Sequence, residues 1–211
     1  MSESREILVR KLSAEDFTEA TEVLACAFMD DPLLNLLVPV DVERMETLRV
    51  MHRAELMLAA SCKHSYGAFD EARLNVGAIV ASSPGTYPPP YWQDLRLALK
   101  VLCFPRPWVP SLRHFLKILP YLKAMDKLHV KGPHWFVREL GVRSGYHGRG
   151  IGGKLLGIII EQSQQDGHPI YLDTQTETNV HFYQRNGFEV TGVLHPRPDG
   201  PPSWGLLRQV R

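Results

Sequence analysis

The sequence predicts a single α/β domain over residues 1–211, built on a mixed, mostly antiparallel sheet flanked by helices. Three observations point there. Hydrophobic patterns run in the order strand, helices, two strands, a helical insertion, strand–helix–strand–helix, and two closing strands. Two strand pairs are joined by a short polar turn or a Pro/Gly-rich loop, as antiparallel neighbours are. Only one strand–helix–strand unit is visible, and the 58 residues that follow Gly153 are too few for a doubly wound parallel sheet.

Ile7 to Arg10 reads as the first strand, and Ser13 with Asp16 three residues on reads as a capping box opening a helix. From Phe17 the apolar positions Ala20, Val23, Leu24, Ala27 and Phe28 recur at helical spacing. Asp30-Asp31-Pro32 ends that helix and starts another, with capping the favoured role for the acidic pair over attraction of a cationic amine. A further helical pattern covers Asp41 to Ser61. Ser65 to Phe69 and Leu74 to Ser82 form a hairpin around Asp70 to Arg73, closed by Pro84-Gly85.

Between residues 87 and 132 the composition shifts to Pro, Trp and Leu, which predicts three helical pieces separated by Pro105, Pro107, Pro110 and Pro120. The aromatic residues here (Tyr87, Tyr91, Trp92, Phe104, Trp108, Phe115 and Tyr121) read mainly as packing, with a lid over a pocket as the alternative. His114 and His129 share the insertion. A core over residues 134–194 follows: strand His134 to Val142, helix Gly150 to Asp166, strand Ile170 to Thr174, helix Asn179 to Asn186 stopped by Gly187, and strand Phe188 to Leu194, which pairs with Trp204 to Val210.

Composition narrows the function. Lys plus Arg number 24 against 23 Asp plus Glu, a net charge of +1, so nothing in the charge draws in nucleic acid or an anionic membrane. A small-molecule partner is the better expectation, with the chain a monomer or homodimer. Cys26, Cys62 and Cys103 stand far apart in no metal-binding spacing and read as reduced core thiols, with no metal expected. No apolar leader or membrane span is visible, which predicts a soluble, cytoplasmic protein.

The segment that carries chemistry is Gly148-Arg149-Gly150-Ile151-Gly152-Gly153, which joins a strand to the helix that begins near Lys154. Backbone N–H groups at a helix start point outward and the helix dipole favours an anion, so the segment suits a phosphate. Side chains at the glycines would hold a pyrophosphate away from those donors, while Arg149 and Lys154 add flanking charge. Gly148, Gly150 and Gly153 also satisfy the dinucleotide fingerprint GxGxxG, with Asp173 20 residues beyond. Five residues separate Val142 from Gly148, however, whereas a dinucleotide loop follows its strand at once; the NAD reading loses.

These residues resemble the GNAT superfamily of acyl-CoA N-acyltransferases. The pyrophosphate signature of that family, Gln/Arg-x-x-Gly-x-Gly/Ala, is similar to His147-Gly148-Arg149-Gly150-Ile151-Gly152, with histidine in first place. Leu140-Gly141-Val142 resembles the family's splayed strand end, Asn179 to Phe188 its N-x-x-F-Y-x-x-x-G-F segment, and Ala27 to Pro32 a subgroup acting on small molecules. The resemblance implies acetyl-CoA as co-substrate, with the backbone of Leu140, Gly141 and Val142 pairing with the pantetheine arm and His147 to Lys154 around the pyrophosphate. It also implies a hydrogen bond from Asn179 to the cofactor and Tyr183 as the general acid for the departing thiolate. A phenol stays protonated at neutral pH and suits that task.

Direct transfer needs a neutral amine, hence a proton acceptor. Strict alternation along the strand puts His134, Phe136 and Arg138 on one side and Trp135, Val137 and Glu139 on the other, and nominates Glu139 or His134, working through water. The predicted reaction is acetyl transfer to a primary amine, with a non-catalytic acyl-CoA sensor or a protein acetyltransferase as alternatives.

Overall fold

The computed structural model describes residues 6–62, 64–86 and 112–210. Its seven described strands form one sheet in the order β1-β2-β3-β4-β5-β7-β6, antiparallel at every neighbour except the parallel pair β4–β5. The strands are β1 (Leu8–Lys11), β2 (Ser65–Phe69), β3 (Asn75–Ser82), β4 (Trp135–Val142), β5 (Ile170–Thr174), β6 (Glu189–Leu194) and β7 (Ser203–Arg208). The helices are α1 (Phe17–Ala27), α2 (Pro32–Leu37), α3 (Asp41–Cys62), α4 (Leu112–Leu128), α5 (Ile151–Asp166) and α6 (Glu177–Arg185).

β2 and β3 are buried along their whole length because helices cover both faces. On one face α5 sets Ile151, Leu155, Leu156 and Ile159 against Ile79, Val137, Ile170 and Leu172. Each of those four helix side chains is fully buried, worth ~1.5–3 kcal/mol apiece. On the other face α1 and α3 bring Phe17, Ala20, Leu24 and Leu56 onto Ala78 and Val80. A third cluster joins α2 to α4 through Leu33, Leu37, Val38 and Tyr121.

Besides register shifts between Ala68 and Phe69 of β2 and between Val190 and Gly192 of β6, two irregularities fall on β4. Pairing between β4 and β5 is confined to Trp135↔Ile170 and Phe136↔Tyr171, after which the strands diverge. A bulge against β3 leaves Arg138 as an extra residue, since Val80 faces Glu139 and Ala81 faces Val137. The bulge corrects the alternation expected from sequence. Trp135 and Val137 face α5, whereas Arg138 and Glu139, adjacent in sequence, both turn to α3.

Three other expectations change. Pro120 lies inside α4, where it removes one backbone donor without ending the helix. Cys26 is exposed on the outer side of α1 rather than in the core. Gly150 does not belong to α5 but caps it. The expected helical pieces before Leu112, the aromatics Tyr87, Tyr91, Trp92, Phe104 and Trp108, and Cys103 lie outside the described residues, as do the side chains of Cys62, His114 and Phe115. Among the described residues, no helix is long and apolar enough to cross a membrane.

Candidate functional site

Where β4 and β5 separate, a cavity of about 240 Å³ runs through the sheet. Val137 to Leu140 form one margin and Asp173 to Gln175 the other; Asn179 and Tyr183 of α6 close one end, and Phe28, Asp31 and His52 stand at the opposite wall. Met51, Met125, Leu33 and Leu34 complete an apolar lining.

The predicted loop lies beside this opening. Gly148 and Gly150 both have φ +75°, a left-handed conformation that glycine adopts without strain, and an added Cβ at either would meet only open space. Gly150 is the N-cap of α5, and the first helical rung runs from Lys154 N to Gly150 O at 3.0 Å. The amides of Ile151, Gly152 and Gly153 therefore head the helix with no helical carbonyl to bond. Gly152 packs closely on Phe182, whose ring would stand 3.3 Å from a Cβ there, so this glycine joins α5 to α6. Arg149 lies over the Tyr146 ring at 4.7 Å and donates to Gly145 O, while Lys154 is exposed. His147 shares a hydrogen bond of 2.8 Å between Nε2 and Val142 O, bracing the strand end.

Gly141 and its neighbours Leu140 and Val142 form the end of β4, with Gly141 buried under α1. Asn179 donates to Thr174 Oγ1 at 3.3 Å, joining α6 to the tip of β5. Tyr183 is buried, held between Phe182 and Phe188 with ring centroids at 5.1 and 5.6 Å. Burial, and then the nearby Asp173 carboxyl, push its pKa above the ordinary phenol value. Burial likewise pushes Asp173 up to about 6, opposed by a hydrogen bond from Gln175.

Glu139 and His134 part company. Glu139 lines the cavity and lies 2.7 Å from His52 Nδ1. Burial holds the Glu139 pKa above the ordinary carboxylate value, and the charge and hydrogen bond of His52 offset part of that rise. His134 lies just before β4, bonded to Gly132 O at 2.7 Å and to His129 Nε2 at 2.9 Å, and takes no part in the cavity wall. Burial, aided by the charge of His134, holds His129 down at about 4. Asp31 performs the expected capping, its Oδ1 accepting from Leu33 N and Leu34 N at 2.9 and 3.0 Å, and it also reaches the cavity.

Sequence reasoning did not find His52. It lies in the middle of a long helix whose apolar pattern is weak, and its partner is 87 residues away. Nothing local marks such a pair.

Residues 120–190 match the family model described as an acetyltransferase (GNAT) domain. The chain is 27% identical over 182 residues to an uncharacterized N-acetyltransferase of Schizosaccharomyces pombe, covering 85% of this chain and 73% of the relative. Among solved structures, the fold is similar to that of a histone acetyltransferase HPA2-related acetyltransferase from Corynebacterium glutamicum (TM-score 0.70, 22% identity, 97% of each chain). It is also similar to arylalkylamine N-acetyltransferase 2 from Aedes aegypti (TM-score 0.66, 13% identity, 98% of this chain and 100% of that one). With the sheet parted at β4–β5, the glycine loop at its mouth and these likenesses in agreement, residues 120–190 match the GNAT acetyltransferase domain and the described fold is that of the acetyltransferases it resembles.

Proposed function

We propose that this chain moves the acetyl group of acetyl-CoA to a primary amine of a small molecule, by direct transfer within a ternary complex. The observation that carries this reading is the gap after Phe136 and Tyr171, with a carboxylate-bearing cavity inside it and a phosphate-suited loop beside it.

The residues fit acetyl-CoA. Open space over Gly148 and Gly150 admits a pyrophosphate to the free amides of α5, and Arg149 and Lys154 supply positive charge. The margin of β4 at Leu140, Gly141 and Val142, beyond its pairing with β5, offers strand-like backbone to the amides of the pantetheine arm. Asn179, at the cavity end, would bond the same arm. His147 is engaged with Val142 O and acts as a brace for the strand end rather than a phosphate ligand. Once bound, acetyl-CoA supplies an acetyl group activated as a thioester.

The chain's own groups do the rest. Tyr183 keeps its phenol proton at neutral pH and holds it at the cavity wall, where a departing thiolate needs one. Glu139 belongs to the machinery that receives the amine's proton. The pair it forms with His52 is suited to proton uptake, whereas His134 is outside the cavity.

The wall composition argues for a compact cationic substrate. Asp31, Glu139 and Asp173 are acidic, and the single cationic side chain in the described lining, Arg138, is paired with Glu55 at 2.6 and 2.9 Å. Phe28, Met51 and Met125 provide apolar surface for the body of the amine. About 240 Å³ is below the ~300–1,000 Å³ of drug-sized sites. The Aedes relative is named for arylalkylamines, a class with this combination of charge and apolar body. Calorimetric titration tests the cofactor: acetyl-CoA binds and NAD does not, and absence of binding by any acyl-CoA rules the reading out.

A further inference from the structure

His52 and Glu139 meet from α3 and β4 in the cavity wall, with side chains 4% and 10% exposed. Their contact, Nδ1 to Oε1 at 2.7 Å, leaves His52 Nε2 and Glu139 Oε2 buried and without a hydrogen-bond partner among the described residues. Buried polar atoms are almost always paired, so two such atoms of one pair at a cavity wall are the groups that a molecule entering the cavity would bond. An ionised carboxylate only accepts hydrogen bonds. With Glu139 as the carboxylate, His52 donates through Nδ1, which fixes the tautomer and leaves a bare lone pair on Nε2. Phe28 packs against the imidazole, with ring centroids 5.0 Å apart, and restrains its plane.

The surrounding charges leave the pair intact. Glu55, one turn along α3 from His52, is held by Arg138 through two hydrogen bonds. Asp31 is occupied by the amides of Leu33 and Leu34, and Asp173 is bonded by Gln175. Tyr183 is the remaining titratable group in the cavity wall and stays protonated.

We propose that His52 is the group that accepts the proton of the substrate amine, through Nε2, and that Glu139 is its positioning residue. The proposal rests on the N-acetyl transfer reading above. In the step, an N–H bond of the ammonium breaks, its electron pair stays on the amine nitrogen, and an Nε2–H bond forms. Glu139 does not change protonation; it keeps its bond to Nδ1–H and stabilises the imidazolium. The freed amine lone pair is then available to attack the acyl carbon, and His52 later returns its proton to solvent.

Two measurements test this. Nitrogen NMR of the histidine-labelled protein without cofactor should show His52 as the Nδ1–H tautomer with Nε2 bare at pH 7.5; an Nε2–H tautomer overturns the proposal, even if the variants fail to fold. Kinetics then separate the partners. His52→Asn retains an N–H that can face Glu139, and it should lower kcat for an alkylamine by about 10²-fold or more. It should leave KM for acetyl-CoA and the melting temperature near wild type, and the defect should shrink for a weakly basic amine that is already neutral. Glu139→Gln retains an acceptor for Nδ1–H and should produce the smaller loss. A larger loss in Glu139→Gln than in His52→Asn, or a rate unchanged in His52→Asn, overturns the assignment. Wild type that binds acetyl-CoA but acetylates no amine overturns the transfer reading itself, and the proposal with it.

Discussion

Gly141 of β4 lies directly beneath Ala27 of α1, so close that a Cβ on Gly141 would stand 2.8 Å from the Cβ of Ala27 and 3.1 Å from Leu24 Cδ2. This contact sets the height of α1 over the strand, and with it the position of Phe28 in the cavity wall. Gly141→Ala should destabilise the fold by about 1–3 kcal/mol, because the nearer neighbour, Ala27 Cβ, is fixed to the helix backbone and cannot swing aside. Thermal unfolding checks it. An unchanged melting temperature would show that α1 shifts without cost.

Gly150 caps α5 at φ +75°, and the space around its missing Cβ is open. Gly150→Ala should cost about 1–2 kcal/mol of stability through left-handed strain. It should also weaken acetyl-CoA binding by about tenfold or more, ~1.4 kcal/mol, as the methyl group obstructs approach to the amides. Calorimetry separates the effects. Wild-type affinity in a folded variant would remove the loop from the binding site.

Tyr183→Phe keeps the ring between Phe182 and Phe188 and removes only the hydroxyl. The expected result is a fall in kcat of about 10²-fold with KM for acetyl-CoA and melting temperature unchanged. An unaltered kcat would assign the tyrosine to packing.

Asp173 titrates near pH 6 when folded, above its unfolded value, so the folded protein binds the proton more tightly than the unfolded chain. Its effect on stability is absent below about pH 4, becomes unfavourable between pH 4 and 6, and is complete above pH 6. Asp173→Asn should therefore stabilise the ligand-free protein by about 1–2 kcal/mol at pH 7.5 and by nothing measurable at pH 4. Melting curves at the two pH values decide it. Equal gains at both would place the effect in packing.

The loop and its supporting strands were legible in the sequence because their signals are local. The glycines at 148 and 150 occupy the positions that need left-handed backbone, and Asp31 before Pro32 caps the helix that follows it. The hairpin from Ser65 to Ser82 and the order of the later elements also follow from periodicity and turn residues. What escaped is what depends on distant partners. The bulge at Arg138 reversed the facing of Glu139, because one extra residue opposite β3 shifts every later side chain to the other face. His52 became significant only when α3 crossed the sheet at that bulge. His134, given equal standing with Glu139 on sequence, is withdrawn from the cavity by its bonds to Gly132 and His129.

Acetyl transfer to a small amine defines this protein's proposed chemistry. Its most direct test is a panel of primary amines, aromatic and aliphatic, incubated with acetyl-CoA and the protein and followed by thiol release and mass spectrometry. At least one compact cationic amine with an apolar body should gain an acetyl group, with one free CoA thiol released per product. Tight binding of acetyl-CoA with no acetylated product and no thiol release across the panel would contradict it.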